Sequence, residues 1–388
     1  MSKTVIFTNQ VMEPIAHFSH AVRVGNVIHL GATAGTDARR RLAGATPGLI
    51  DFGAQSEKMF DNARIVLGLL GAGLDDVLRV KTYITDMRDS PLYRVSYDRA
   101  FGHGRPSHTV VGSAGFPLPQ AGIELDIVAV VGVQVERMPA AGDAVRAVGR
   151  LHCVAGPVLG PGQDSGSVQA RFTRQAASAF DQLKACLAAG GCVPPETVYL
   201  HATLSDVRLV EAFRSCFQAT FAHAQPACAI AIAPLENPDC MLHLEAVAVG
   251  GGGIPVTGGV ATPNLGLGSA AVLAGDELYI GGQYGADRDG RLVQGIEAQT
   301  LAAWDRIRFL LEAAGMTANH ILRTNNVLTD WRSYRGFNAG YGANVHEPYP
   351  PRATVLGSLA MPGALVQIEG IAHREGDAAT IVQARPPR

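Results

Sequence analysis

VGNVIHLGATAG at 24–35, VGRLHCVAGPVLG at 148–160 and AGDELYIGGQYG at 274–285 read as one strand pair written three times. Aligned without gaps, they put Gly31, Ala155 and Gly281 at equivalent places, in steps of 124 and 126 residues. A second landmark keeps the period: YITD ends at Asp86, TLSD at Asp206 and VLTD at Asp330. A third closes each copy: IELDIVAV, LHLEAVAV and VQIEGIAH. Solenoid repeats run roughly 20–50 residues, so a period this long implies three domains. The copies are assigned to 1–137, 138–251 and 252–388. MPAAGDA at 138–144 and GGGGIPVTGG at 250–259 read as linkers, and the tail after Gly376 as loose chain.

Within a copy, two short strands precede a helix. Leu301, Trp304, Ile307 and Leu311 recur at helical spacing in the third copy, as do Phe60, Ala63, Val66, Leu67 and Leu70 in the first. Small residues and Gly end these helices (LGAG at 70–73, LAAG at 187–190, EAAG at 312–315), as a left-handed C-terminal cap requires. A strand then leads to the shared Asp, an aromatic-rich helix follows, and two strands finish the unit. The pattern predicts ββαβαββ, an α+β unit with two helices on one face of a mixed sheet.

Composition excludes several classes. The 388 residues are 47% apolar and 17% charged, with net charge −2. No Lys/Arg run offers the basic surface that nucleic acid needs. No stretch reaches 18 uninterrupted apolar residues, and the first ten lack a leader's apolar core, so a cytoplasmic protein without membrane contact is expected. All six cysteines lie in the second copy without a CxxC pair, which argues against zinc. The histidines of the first copy form no tight ligand motif, so no metal is expected. Neither GLGSAA at 266–271 nor GGGG at 250–253 opens a helix after a strand in a phosphate-binding pattern.

The strand–turn motif, the helix ending AAG, the strand ending in Asp, the loop P-x-R-x-x-V and the last strand with its acidic residue together resemble the Rid family of reactive-intermediate deaminases. The resemblance covers each copy and is fullest in the third. It implies a single-chain pseudo-trimer with ligand clefts between units, either monomeric or further associated. It also implies cofactor-independent hydrolysis of carboxylate-bearing imines or enamines to keto acids and ammonia. In that pattern Arg352 of YPPRATV clamps the carboxylate, and its planar guanidinium offers two parallel donors for the task. Glu369 of VQIEGIA orients the attacking water. Asn338, Gln283, Gly281 and Thr354 line the pocket; the family's Ser is Gly281 here, and its early Tyr is Gly268, which enlarges one wall.

The other copies depart from this pattern. The first has His108 in the Arg position, Asp126 in the acidic one, Phe18 for the Tyr and Arg94 for the Asn. The second has Cys228 for the Arg and keeps Glu245; an active Cys228 needs His223 or His243 as base, and a buried inert thiol is the simpler reading. Two alternatives stand beside deamination: a hydrolase of a larger cyclic amide or carboxylated ring, like cyanuric acid hydrolases and chorismatases, and a non-catalytic binder of small carboxylates.

Overall fold

The computed structural model describes residues 2–46, 49–102, 104–139, 142–160, 165–222, 225–258 and 265–384. Three sheets repeat one layout. The first holds β1 (Lys3–Thr8), β2 (Ala21–Val24), β3 (Val27–Ala34), β4 (Val77–Ile84), β5 (Ser107–Gly112) and β6 (Ile123–Val130), in the order β1-β2-β3-β6-β4-β5. The second repeats that order with β7 (Glu136–Met138), β8 (Ala144–Ala147), β9 (Arg150–Ala155), β10 (Thr197–Leu204), β11 (Ala227–Ile232) and β12 (Leu242–Val249). The third uses β13 (Ile254–Val256), β14 (Ala271–Ala274), β15 (Glu277–Tyr284), β16 (Ile321–Leu328), β17 (Arg352–Leu356) and, after the short β18 (Ser358–Leu359), β19 (Val366–His373). Each unit therefore begins with one more edge strand than ββαβαββ allows. That strand moves a boundary: Glu136–Met138 pairs with β8, so the second unit starts before residue 138.

Only one pair in each repeated layout is parallel: β4 with β5, β10 with β11 and β16 with β17. Parallel neighbours need a crossover. Helices α2 (Ser90–Phe101), α4 (Val210–Thr220) and α6 (Tyr334–Gly342) supply it. The longer helices α1 (Phe52–Gly68), α3 (Val168–Ala189) and α5 (Ile296–Ala313) precede the parallel pairs. The face of α5 is rotated from the expected stripe. Thr300, Ala303, Trp304, Ile307, Leu310 and Leu311 are buried, whereas Leu301 is 37% exposed. The repeated Asp is a cap: Asp86, Asp206 and Asp330 each accept the backbone N–H two residues on and pair with that residue's Arg. An acceptor at this point satisfies a helix-turn donor that would otherwise lack a partner.

Each sheet and its helices enclose one apolar core. The opposite faces of the three sheets meet one another. Arg79 of the first sheet pairs with Glu245 of the second at 2.9 Å, Arg323 of the third with Asp126 of the first at 3.0 Å, and Tyr199 of the second donates to Glu369 of the third at 2.7 Å. Strand ends also cross between units. The short β18 extends the second sheet beside β11. The tail is not loose: β20 (Ala379–Ala384) pairs in parallel with β1, Lys3 opposite Ala379 through Thr8 opposite Ala384. Chain start and chain end thus share one sheet.

Candidate functional site

Three seams join the units: β17 lies on β3, β5 on β9 and β11 on β15. The approach is close. A Cβ at Gly281 would lie 2.6 Å from the Cys228 carbonyl oxygen, so only glycine fits there. The residue opening each of β17, β5 and β11, or next to it, is therefore set against a neighbouring unit.

Arg352 opens β17 at the seam with the first unit and is 3% exposed. One terminal nitrogen donates to Asn338 Oδ1 at 2.6 Å and reaches the Tyr334 hydroxyl at 3.4 Å. The guanidinium carbon sits over Tyr341 at 4.5 Å, Phe337 at 5.4 Å and Phe18 of the first unit at 5.7 Å from the ring centroids. Aromatic faces attract a cation without neutralising it. The other terminal nitrogen is buried with no hydrogen-bond partner, and no carboxylate pairs with this arginine among the described residues. His17, also from the first unit, is held below its usual pKa by burial and by the Arg352 charge.

Beside Arg352 is a cavity with about 40 Å³ of space for the centre of a water molecule. One water needs roughly 10–15 Å³ by that measure, so a small molecule fits. Tyr334, Arg352 and Thr354 come from the third unit. Phe18, Ala32, Pro117, Leu118 and Glu124 come from the first. Glu124, on β6, is 7% exposed, and burial pushes its carboxyl up to about 8. At neutral pH it is mostly a carboxylic acid, able to donate a proton.

Glu369 is not in this cavity. It lies between the sheets, where Tyr199 donates at 2.7 Å, Asn325 at 3.0 Å, and His201 Nδ1 is 3.1 Å away. Burial opposes its charge, but these partners and Lys81 outweigh that and hold it at about 2. Asp126 and Glu245 belong to the same central network: Arg79 and Arg323 bind Asp126, and Arg79 and Lys81 bind Glu245. The acid that reaches a cleft stands two positions earlier on the last strand. There the first unit has Glu124, the second His243 and the third Gln367. Alternation would have allowed either position, since residues two apart share a sheet face.

Gln283 and Gly281 lie at another seam. Gln283 Nε2 is spent on the carbonyls of Gly281 at 3.0 Å and Ala270 at 3.3 Å, and Gly281 faces Cys228. Gly268 opens no wall. Its φ is +66°, and a Cβ there would lie 2.8 Å from Cys228 Cβ. The backbone closes onto that thiol, which burial keeps protonated. None of the six cysteines forms a disulfide. His223 lies outside the described residues.

His108 opens the remaining seam. It stacks on Tyr97 with centroids 4.1 Å apart, and its Nε2 is 2.7 Å from the Tyr93 hydroxyl. Burial, reinforced by Arg94, holds it neutral, well below its usual pKa. The three clefts thus hold Arg352 with Asn338, His108 with Arg94, and Cys228 with Gln367.

The profile described as Endoribonuclease L-PSP matches residues 8–131 and 264–374. This chain belongs to that family, the Rid proteins. A RutC family protein of Pyrococcus horikoshii is 34% identical over 109 residues, 28% of this chain and 86% of that protein. A 2-iminobutanoate/2-iminopropanoate deaminase of Dermatophagoides farinae is 27% identical over 129 residues, 33% of this chain and 97% of the enzyme. The chain is about three times the length of such a one-unit Rid protein, consistent with tandem copies. RidA from an Antarctic Psychrobacter is similar at 34% identity, covering 31% of this chain and 98% of that one, with TM-score 0.29. A chorismatase structure covers 77% of this chain and 93% of its own at 12% identity, with TM-score 0.56, which is a likeness of fold. Among the described residues, no helix is long and apolar enough to cross a membrane.

Proposed function

We propose that the cleft between the third and first units hydrolyses a small carboxylate-bearing imine or enamine to a keto acid and ammonia. The observation that carries this reading is the buried Arg352, one terminal nitrogen of which has no hydrogen-bond partner, on the wall of a cavity that the acid Glu124 also lines. A buried cation without a counter-ion is costly, by about 3–5 kcal/mol when a partner is missing. An anionic ligand removes that cost. The similarity to a protein named 2-iminobutanoate/2-iminopropanoate deaminase supports the same chemistry. The three units are proposed to form one pseudo-trimer, each cleft built from two of them.

The residues fit a proton cycle. Arg352, held in place by Asn338, takes the substrate carboxylate through its free nitrogen. Glu124 gives its proton to the imine nitrogen, which makes the carbon electrophilic. Water adds to that carbon, and its proton goes to the Glu124 carboxylate. Glu124 then protonates the amine, ammonia leaves as the hydroxyl proton returns to Glu124, and a keto group remains. Phe18, Pro117 and Leu118 make the opposite wall apolar, which suits a short hydrocarbon side chain.

The test is ammonia and keto-acid release from freshly generated 2-iminopropanoate and 2-iminobutanoate. Acceleration by the wild type, lost in Arg352→Ala and Glu124→Gln, supports the reading. No acceleration, with pyruvate still binding through Arg352, would make the site a carboxylate binder.

A further inference from the structure

The cleft between the first and second units carries the same elements in a different arrangement. His108 stands at the strand position of Arg352, and Arg94 at the helix position of Asn338. In both clefts these two side chains touch, at 2.6 Å for Asn338 with Arg352 and 3.1 Å for Arg94 with His108. The guanidinium has moved from strand to helix and the neutral partner from helix to strand, so each cleft keeps one cation.

What differs is the third participant. Glu236 lies on the segment between β11 and β12, where the first unit has Pro117, counting back from the last strand of each unit. Pro117 lines the open cavity beside Arg352. Glu236 instead reaches across the seam and accepts a forked pair of hydrogen bonds from Arg94, one from Nε at 2.6 Å and one from Nη2. Ser90 Oγ donates to it at 2.6 Å. Two parallel N–H donors and a hydroxyl on one carboxylate are the contacts a bound carboxylate ligand would receive. At the base of this cleft, His243 holds the position that Glu124 holds in the other, and its buried Nδ1 has no partner.

The plug is able to leave. The segment is fastened behind it by backbone bonds, Gly112 N–H to the Pro234 carbonyl at 2.8 Å and the bridge between Val111 and Leu235. The Glu236 side chain itself is 28% exposed, so a rotamer change swings it into water without unfolding the loop. We propose that this cleft is a second site for a small monocarboxylate, occupied in the free protein by the Glu236 side chain. An external carboxylate binds there by displacing Glu236 and taking over the bonds from Arg94 and Ser90.

The site is tested with pyruvate by calorimetry in the Arg352→Ala background, which removes the first cleft from the measurement. Adding Glu236→Ala should yield one binding equivalent, at least about tenfold tighter than Arg352→Ala alone. Adding Arg94→Ala should abolish that gain. A folded Arg352→Ala/Glu236→Ala protein with no gain overturns the proposal, as does a gain that survives Arg94→Ala. If Glu236→Ala does not fold, Glu236→Gln keeps the shape with a weaker acceptor and should show a smaller gain of the same kind; no gain in that variant also overturns it. Failure of the deaminase reading would appear separately, as no acceleration of 2-iminopropanoate hydrolysis by the wild type, which leaves the calorimetric comparison in the Arg352→Ala background unaffected.

Discussion

Two clefts of this protein differ chiefly in whether the chain supplies its own carboxylate. Beside Arg352, Pro117 and Leu118 leave a cavity, and one guanidinium nitrogen has no partner. Beside Arg94, Glu236 supplies the partner. A cation is present in both, so a cation alone does not make an open anion site. The counter-ion decides: a paired arginine is closed to a ligand until its partner is displaced, and an unpaired buried one is open to it. The third cleft lacks both terms, because Cys228 is neutral and packed against Gly268.

The sharpest way to break this comparison is Arg352→Ala. It should lower kcat/KM for 2-iminopropanoate by roughly two to three orders of magnitude, matching the ~3–5 kcal/mol of a buried charge contact. Glu124→Gln should cost about a hundredfold, mainly in kcat, the usual scale for a lost acid–base group. Its pH dependence is informative. With the folded pKa at about 8, wild-type rate should fall above that pH as the proton donor is lost. Stability has its own sign. Between the ordinary carboxyl range and about pH 8 the folded state binds a proton that the unfolded state has released, so stability falls with rising pH across that window. Glu124→Gln should remove that slope, as read from melting temperatures against pH. Asn338→Ala should cost less, about tenfold and mostly in KM, since it frees a guanidinium that still binds.

How much of this was legible beforehand depends on the range of the interaction. The triplication and the helices followed from spacing within one copy, and Arg352 and Asn338 entered as pocket residues through the family resemblance. Phe18 packs on Arg352 and Glu124 lines the same cavity from the first unit, across a chain separation that no local pattern encodes. The expected acids, Asp126 and Glu369, lie in the central network rather than beside Arg352; alternation puts Glu124 and Asp126 on one strand face, and only the neighbouring sheets tell cleft from centre. The pairing of β20 with β1 was invisible for the same reason, since it joins the two ends of the chain.

The smallest effect on activity is expected from Glu369→Gln, and it separates the two readings of the last strand. If Glu369 oriented water beside Arg352, the substitution would match Glu124→Gln in severity. Its three partners at 2.7 to 3.1 Å place it in the central network instead. Turnover should therefore stay within about twofold, while stability drops by roughly 1–3 kcal/mol from the loss of a charged acceptor. The pH signature has the opposite sense to that of Glu124. A carboxyl held at about 2 contributes stability above its unfolded pKa and loses it as pH falls from there through the folded value. Wild type should thus lose more stability than Glu369→Gln on acidification from pH 5 to pH 2. A variant that melts like wild type but has lost turnover would return Glu369 to the chemistry and move the proton cycle away from Glu124.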